Sequence, residues 1–279
     1  MPTLRSALLT TFAASLLCLA PAAAASAGQV TAQRGDVTAQ LSYSADQQSG
    51  GYTFGDLKVT RAGSVLYDAV PAPRACKPYS CGPTAGTPGF PPVRVRDLNG
   101  DGEPEVLLTA FTGGAHCCLI AEVLELKAGG GGYQAFDRDF GNSGFSLGDL
   151  NGDGSPEFTS SDDAFAYRFT AYAFSGRPIQ ISRYTGAGKF ADVTTEFPGR
   201  VRRDARAYWG GYLQLRSSRD GTARGQIAPW AADQYRLGKR TNALAVLKRE
   251  ASRGYLGSTP ARGRHWVGVL DKFLRKQGY

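Results

Sequence analysis

Two acidic strings, DLNGDGEPE (Asp97–Glu105) and DLNGDGSPE (Asp149–Glu157), stand 52 residues apart and differ only at their seventh position. Side-chain oxygens recur at positions one, three, five and nine: Asp97, Asn99, Asp101 and Glu105, then Asp149, Asn151, Asp153 and Glu157. Position seven, Glu103 or Ser155, can add a main-chain carbonyl, because the glycines at positions four and six let the backbone curl. Three carboxylates held at short range raise one another's pKa values and strain the loop, and a hard divalent cation relieves both. Calcium suits such a flexible oxygen set better than magnesium, which demands near-ideal octahedral geometry.

The remaining candidates for chemistry cluster at the cysteines. Cys76, Cys81, Cys117 and Cys118 are an even set, with Cys18 lying in an apolar leader, and in an oxidising compartment disulfides are the default reading. Cys76 can join Cys81 across Lys-Pro-Tyr-Ser, leaving a vicinal 117/118 bridge, or the two sites can be cross-linked; the sequence leaves both open. A thiolate metal site that adds His116 is the alternative. A Cys–His nucleophile pair is disfavoured, because adjacent strand residues diverge. His265, the other imidazole, reads as a packing or surface group. Asp162-Asp163 reads as extra calcium ligands or a solvated turn rather than a general acid and base. No GxSxG, HExxH or phosphate-binding glycine loop is present.

These groups need scaffolding, and its pattern is antiparallel. Val37/Ala39/Leu41/Tyr43, Phe54/Leu57/Val59 and Val65/Tyr67 alternate between turn residues, predicting a meander. A Pro/Gly-rich loop carries Cys76 and Cys81. Each acidic string lies between two apolar stretches, predicting strand–loop–strand units over about 93–145 and 146–198. Phe165–Phe174 and Arg177–Phe197 read as further aromatic and β-branched strands. From Arg200 the apolar period becomes helical, with Gly210-Gly211 as a weak point, Pro229 in a first turn, Thr241 as a cap, and Gly238 and Gly254 as stops. Trp266, Leu270, Phe273 and Leu274 form the stripe of a last helix. The expected fold is α+β: a mainly antiparallel β body over 28–198, then a basic helical unit over 199–279.

Position twelve of each string is Leu108 or Ser160, where an EF-hand needs a bidentate glutamate, so neither EF-hand nor dockerin is supported. The strings instead resemble the calcium loops of FG-GAP or VCBS repeats, the blades of integrin-type propellers, which end on an acid at position nine. The chain looks most like short secreted bacterial members carrying the Gly-Gly-Ala-His-Cys-Cys string, here Gly113 to Cys118. The resemblance implies calcium ligands at the positions named above. A closed propeller needs at least about four blades. Residues 28–198 have room for about three, so an open or partial arrangement is expected, with the helices covering a sheet edge.

The chain of 279 residues opens with ALLTTFAASLLCLA and a small-residue string, the pattern of a secretory signal peptide over 1–27 cleaved after Ala27, or after Ala25. Leu17 sits where lipoprotein processing wants a small residue, and no later segment reaches transmembrane length. Hydrophobic content of 42% with 20% charged residues excludes a disordered polymer, and 36 glycines without a triplet period exclude collagen. The net charge of +8 is unevenly spread. Residues 28–198 carry 13 Lys/Arg against 19 Asp/Glu, whereas 199–279 carry 18 against 5. The expected function is a secreted or periplasmic calcium-rigidified module, without catalysis, that binds a surface protein or an anionic envelope polymer rather than nucleic acid. The alternative is a metal-dependent hydrolase with its site near His116.

Overall fold

The computed structural model describes residues 27–78, 80–257 and 259–279. The expected signal peptide lies outside the described residues except for Ala27, where the first strand begins. Strands β1 (Ala27–Arg34), β2 (Val37–Ala45), β3 (Tyr52–Arg61) and β4 (Ser64–Ala69) form a four-stranded meander. A second sheet holds β5 (Gly82–Pro83), β6 (Val93–Arg96), β7 (Glu105–Gly114), β8 (Cys117–Leu126) and β9 (Tyr133–Asp139), with β5 and β6 both pairing β7. The third runs β10 (Ser146–Gly148), β11 (Glu157–Ser161), β12 (Ile179–Tyr184) and β13 (Phe190–Asp192) in sequence order. Helices α1 (Pro198–Leu215), α2 (Arg224–Arg236), α3 (Arg240–Ser252) and α4 (Pro260–Lys276) follow. The fold is α+β with antiparallel pairing throughout, and the described strands close into neither a barrel nor a propeller.

The second sheet is the middle layer. Val106, Leu108, Ile120 and Leu124 pack against Val37, Leu41, Leu57 and Val59 of the first sheet. Leu107, Ala121 and Val123 point the other way, toward Phe140, Phe145, Phe158 and Tyr184. Covered on both faces, β7 is buried from Glu105 to Ala110, which explains its nearly unbroken apolar run. Burying a side chain such as Phe158 stabilises by about 1.5–3 kcal/mol.

Five local expectations are corrected. The alternation of Val30 and Ala32 marks β1, a strand the reading of residues 28–70 left out. Phe165–Phe174 is not a strand: it folds into two 3-10 turns, at Asp163–Phe165 and Tyr172–Phe174. Its aromatics serve the helical core, where Phe165 and Phe169 meet Phe273 edge-on. Gly210-Gly211 does not break α1, and Thr241 lies inside α3, whose cap, Lys239, makes no side-chain capping bond. Pro229 sits inside α2 rather than at its start. A proline there frees the carbonyl four residues back, that of Gly225. The Gly176 amide takes it at 2.8 Å, and a Cβ at Gly176 would stand 2.8 Å from both that oxygen and the Pro229 ring.

The helices cap one end of the third sheet. The Ile179 amide donates to Asp204, its carbonyl accepts from Arg236, and the Tyr279 hydroxyl donates to Asp162. Beneath them Asp233 is fully buried; burial pushes its pKa up to about 9, the Asp204 charge adding and Arg236 opposing. A carboxyl raised in the folded state keeps its contribution below the unfolded value of 3.8 and loses it as pH climbs toward 9. Asp233→Asn is therefore expected to stabilise the protein at pH 8 by about 1 kcal/mol or more and to change little at pH 4, as read from melts across that range.

Candidate functional site

Each acidic string is the turn of a hairpin, between β6 and β7 or between β10 and β11, and the acid at position nine is the first residue of the outgoing strand. Arg96 pairs Glu105 and Gly148 pairs Glu157 in the two registers. The strings fold alike. Asp97 Oδ1 and Oδ2 accept the amides of Gly100 and Gly102 at 2.7 and 2.9 Å, and Asp149 accepts those of Gly152 and Gly154 at the same distances. Asn99 and Asn151 accept the amides of Asp101 and Asp153 and donate to the same carboxylates. Glu105 and Glu157 each accept the amide at position two, Leu98 or Leu150. Glycine is required at positions four and six, where φ lies between +80° and +93°.

The loops abut, since a Cβ on Gly100 would stand 2.4 Å from Ser155 Oγ. They differ in exposure and in cations. Asp97 is buried and Asp149 is exposed. Glu157, fully buried, meets Arg183, its partner across the β11–β12 register, at 2.8 Å; the same guanidinium lies 4.0 Å from Asp153 and 3.3 Å from Glu196. Glu105 has no such cation among the described residues. Burial pushes its pKa up to about 8, against the hydrogen bond from Leu98 and with the charges of Asp101 and Asp97 adding. At position seven, Glu103 turns its carboxylate to the Arg61 guanidinium, which holds it below the usual carboxylate range. Neither Arg61 nor Arg183 was found from the sequence; only the strand register, which sets Arg183 opposite Glu157, would have pointed to one of them.

The cysteines pair locally, Cys76 with Cys81 and Cys117 with Cys118. Among the described residues, the one acid, thiol or imidazole trio whose donor atoms converge within 4.8 Å is Cys117, Cys118 and Asp139; the loop carboxylates are not drawn that close. This trio borders a cavity of about 380 Å³ that Asp162 and Asp163 also line. Both aspartates are engaged: Asp162 with the Ala164 amide and Tyr279, Asp163 with Arg177 and the Asn142 amide. The His116 ring lies against Tyr172, centroids 4.3 Å apart and planes tilted by 50°, with Tyr167 edge-on, and no carboxylate orients it among the described residues. His265 is on the exposed side of α4. With its cysteine neighbours bonded to each other, His116 lacks both a nucleophile and an orienting acid.

No family profile matches the chain, and no solved structure matches it significantly. An uncharacterised protein of Sinorhizobium fredii is 37% identical over 84 residues, 30% of this chain and 13% of that relative. A probable thylakoid lumen protein of Synechocystis is 28% identical over 166 residues, 59% of this chain and 45% of the relative. The chain spans less than half the length of either.

Two outcomes test this geometry. Arg183→Ala leaves Glu157 buried without its cation and is expected to cost about 2–4 kcal/mol in denaturant titration, discounted for the partial exposure of the arginine. Without reductant, iodoacetamide is expected to label none of Cys76, Cys81, Cys117 and Cys118, and all of them after reduction and unfolding, as read by mass spectrometry.

Proposed function

We propose that this chain is an extracytoplasmic calcium-binding protein of FG-GAP or VCBS type, in which the metal rigidifies a non-catalytic binding module. The supporting observation is the hydrogen-bond scheme repeated in both strings, in which Asp97 and Asp149 each gather two amides of their own loop and so curl it. The donor set is all oxygen, the chemistry of a hard cation. Asp97, Asn99, Asp101 and Glu105 would hold one ion, and Asp149, Asn151, Asp153 and Glu157 the other. Each position-seven residue, Glu103 or Ser155, would contribute its carbonyl, since the Glu103 carboxylate is committed to Arg61. The ion would supply the positive charge that draws the carboxylates together. Because Arg183 already faces Glu157 and approaches Asp153, the first loop is the tighter site.

The extracytoplasmic setting is supported by the leader pattern and by the name of the Synechocystis relative. Among the described residues no helix is long and apolar enough to cross a membrane. The hydrolase alternative has weaker support, given the bonded cysteines beside His116 and the packing of its imidazole against Tyr172.

Extracellular calcium modules bind with Kd of about 10⁻⁴–10⁻³ M, so 5 mM calcium is expected to raise Tm over chelator by about 2–6 °C. Magnesium should do much less. Asp97→Asn should remove most of the shift, and Asp149→Asn a smaller part. Coincident melts in calcium and chelator would overturn the assignment.

A further inference from the structure

A second site lies on the helical unit, away from both acidic loops. On α1, Arg202, Arg206 and Trp209 recur at helical spacing and so share one face. Trp209 lies against Trp230 of α2, ring centroids 4.9 Å apart and planes tilted by 43°. The two indoles line a cavity of about 380 Å³ between α1, α2, the turn at Lys239, and Val246 and Arg249 of α3. That volume is in the range of small-molecule sites, about 300–1,000 Å³. Arg202, Arg206, Lys239 and Arg249 line it as well, and no carboxylate does. Arg249 is shared with Glu250, whose carboxylate is buried and held also by Tyr212, Arg216 and Arg253. The other three cations have no acidic partner among the described residues.

Four cations beside two aromatic faces select a ligand that is both anionic and flat-sided. Trp230 is only 9% exposed and Trp209 is half-buried, so the pair does not protrude as bilayer-inserting aromatics do. A pyranose ring stacks its C–H face on indole, and a carboxylate on that ring reaches the guanidinium rim. The amide of Gln234, which also lines the cavity, offers a partner for sugar hydroxyls. We infer that this cavity binds an acidic saccharide, one to two uronate-like units of an anionic glycan. The site uses none of the loop residues, so it stands or falls apart from the calcium assignment.

The test titrates the full chain with tetragalacturonate and with its methyl ester, which keeps the rings and removes the charge. Tryptophan fluorescence and calorimetry in EGTA read binding, so that calcium bridging by the ligand plays no part. Tetragalacturonate should quench Trp209 and Trp230 and bind at least about tenfold more tightly than the ester, weakening as salt rises. Arg202→Gln with Arg206→Gln should abolish that preference while leaving the melt unchanged. Lys239→Gln, at an exposed turn, provides a second variant with the same expected direction. Equal binding of acid and ester, or unchanged affinity in the charge variants, overturns the inference. So does binding of anionic phospholipid vesicles or oligothymidylate by a protein that ignores tetragalacturonate.

Discussion

The carboxylate that ends each acidic string ties two structural levels together. Glu105 and Glu157 are the first residues of outgoing strands, paired with the last residues of the incoming ones, and each accepts the amide of the second loop residue. Strand pairing and loop curvature therefore depend on one buried side chain. A buried anion is costly unless something neutralises it. The two repeats meet that demand differently. Glu157 faces a guanidinium from the next strand, whereas burial, with the Asp101 and Asp97 charges adding, pushes Glu105 toward its protonated form. Nearly identical strings thus make loops of unequal charge, and the inequality comes from Arg183, which lies on the next strand outside the string.

The middle sheet explains why the loops lie together. Its two faces carry different apolar sets, one meeting the meander and the other the third sheet. Stacking the second unit against the first sets Ser155 on Gly100. Arg61, the last residue of β3, then reaches Glu103, so the first sheet also grips the first loop. Each layer contributes a group to loops that its own strands do not form.

What could be read from the sequence was local. The strings, their flanking strands, the helical C-terminal unit and its apolar stripe all rest on short-range periodicity and turn chemistry. What could not be read was non-local. Phe165–Phe174 has the composition of a strand, and only the presence of α4 makes packing against helices the better use of its aromatics. Pro229 fits a first turn by local rules; its interior position is tolerated because Gly176, 53 residues earlier, satisfies the carbonyl it frees. The cysteine connectivity stayed open because both pairings satisfied the sequence, and the structure takes the local one. Arg183 looks like any strand arginine until the register places it opposite Glu157.

The helical unit is not an appendage to this arrangement. Strand β11 begins at Glu157 in the second loop and ends at Ser161, next to Asp162, which holds Tyr279 beyond α4. Strand β12 carries Arg183 at one end and Ile179 at the other, where Asp204 and Arg236 take both main-chain groups. The ion pair between Glu157 and Arg183 therefore bridges two strands whose far ends are both clamped by the helices. A change that shifts Arg183 relative to Glu157 moves β12 against β11, and the clamps resist it. Resistance of that kind is reciprocal: whatever seats the helices more firmly also holds the guanidinium in the second loop. The second acidic loop and the helical clamps are thus at opposite ends of one pair of strands.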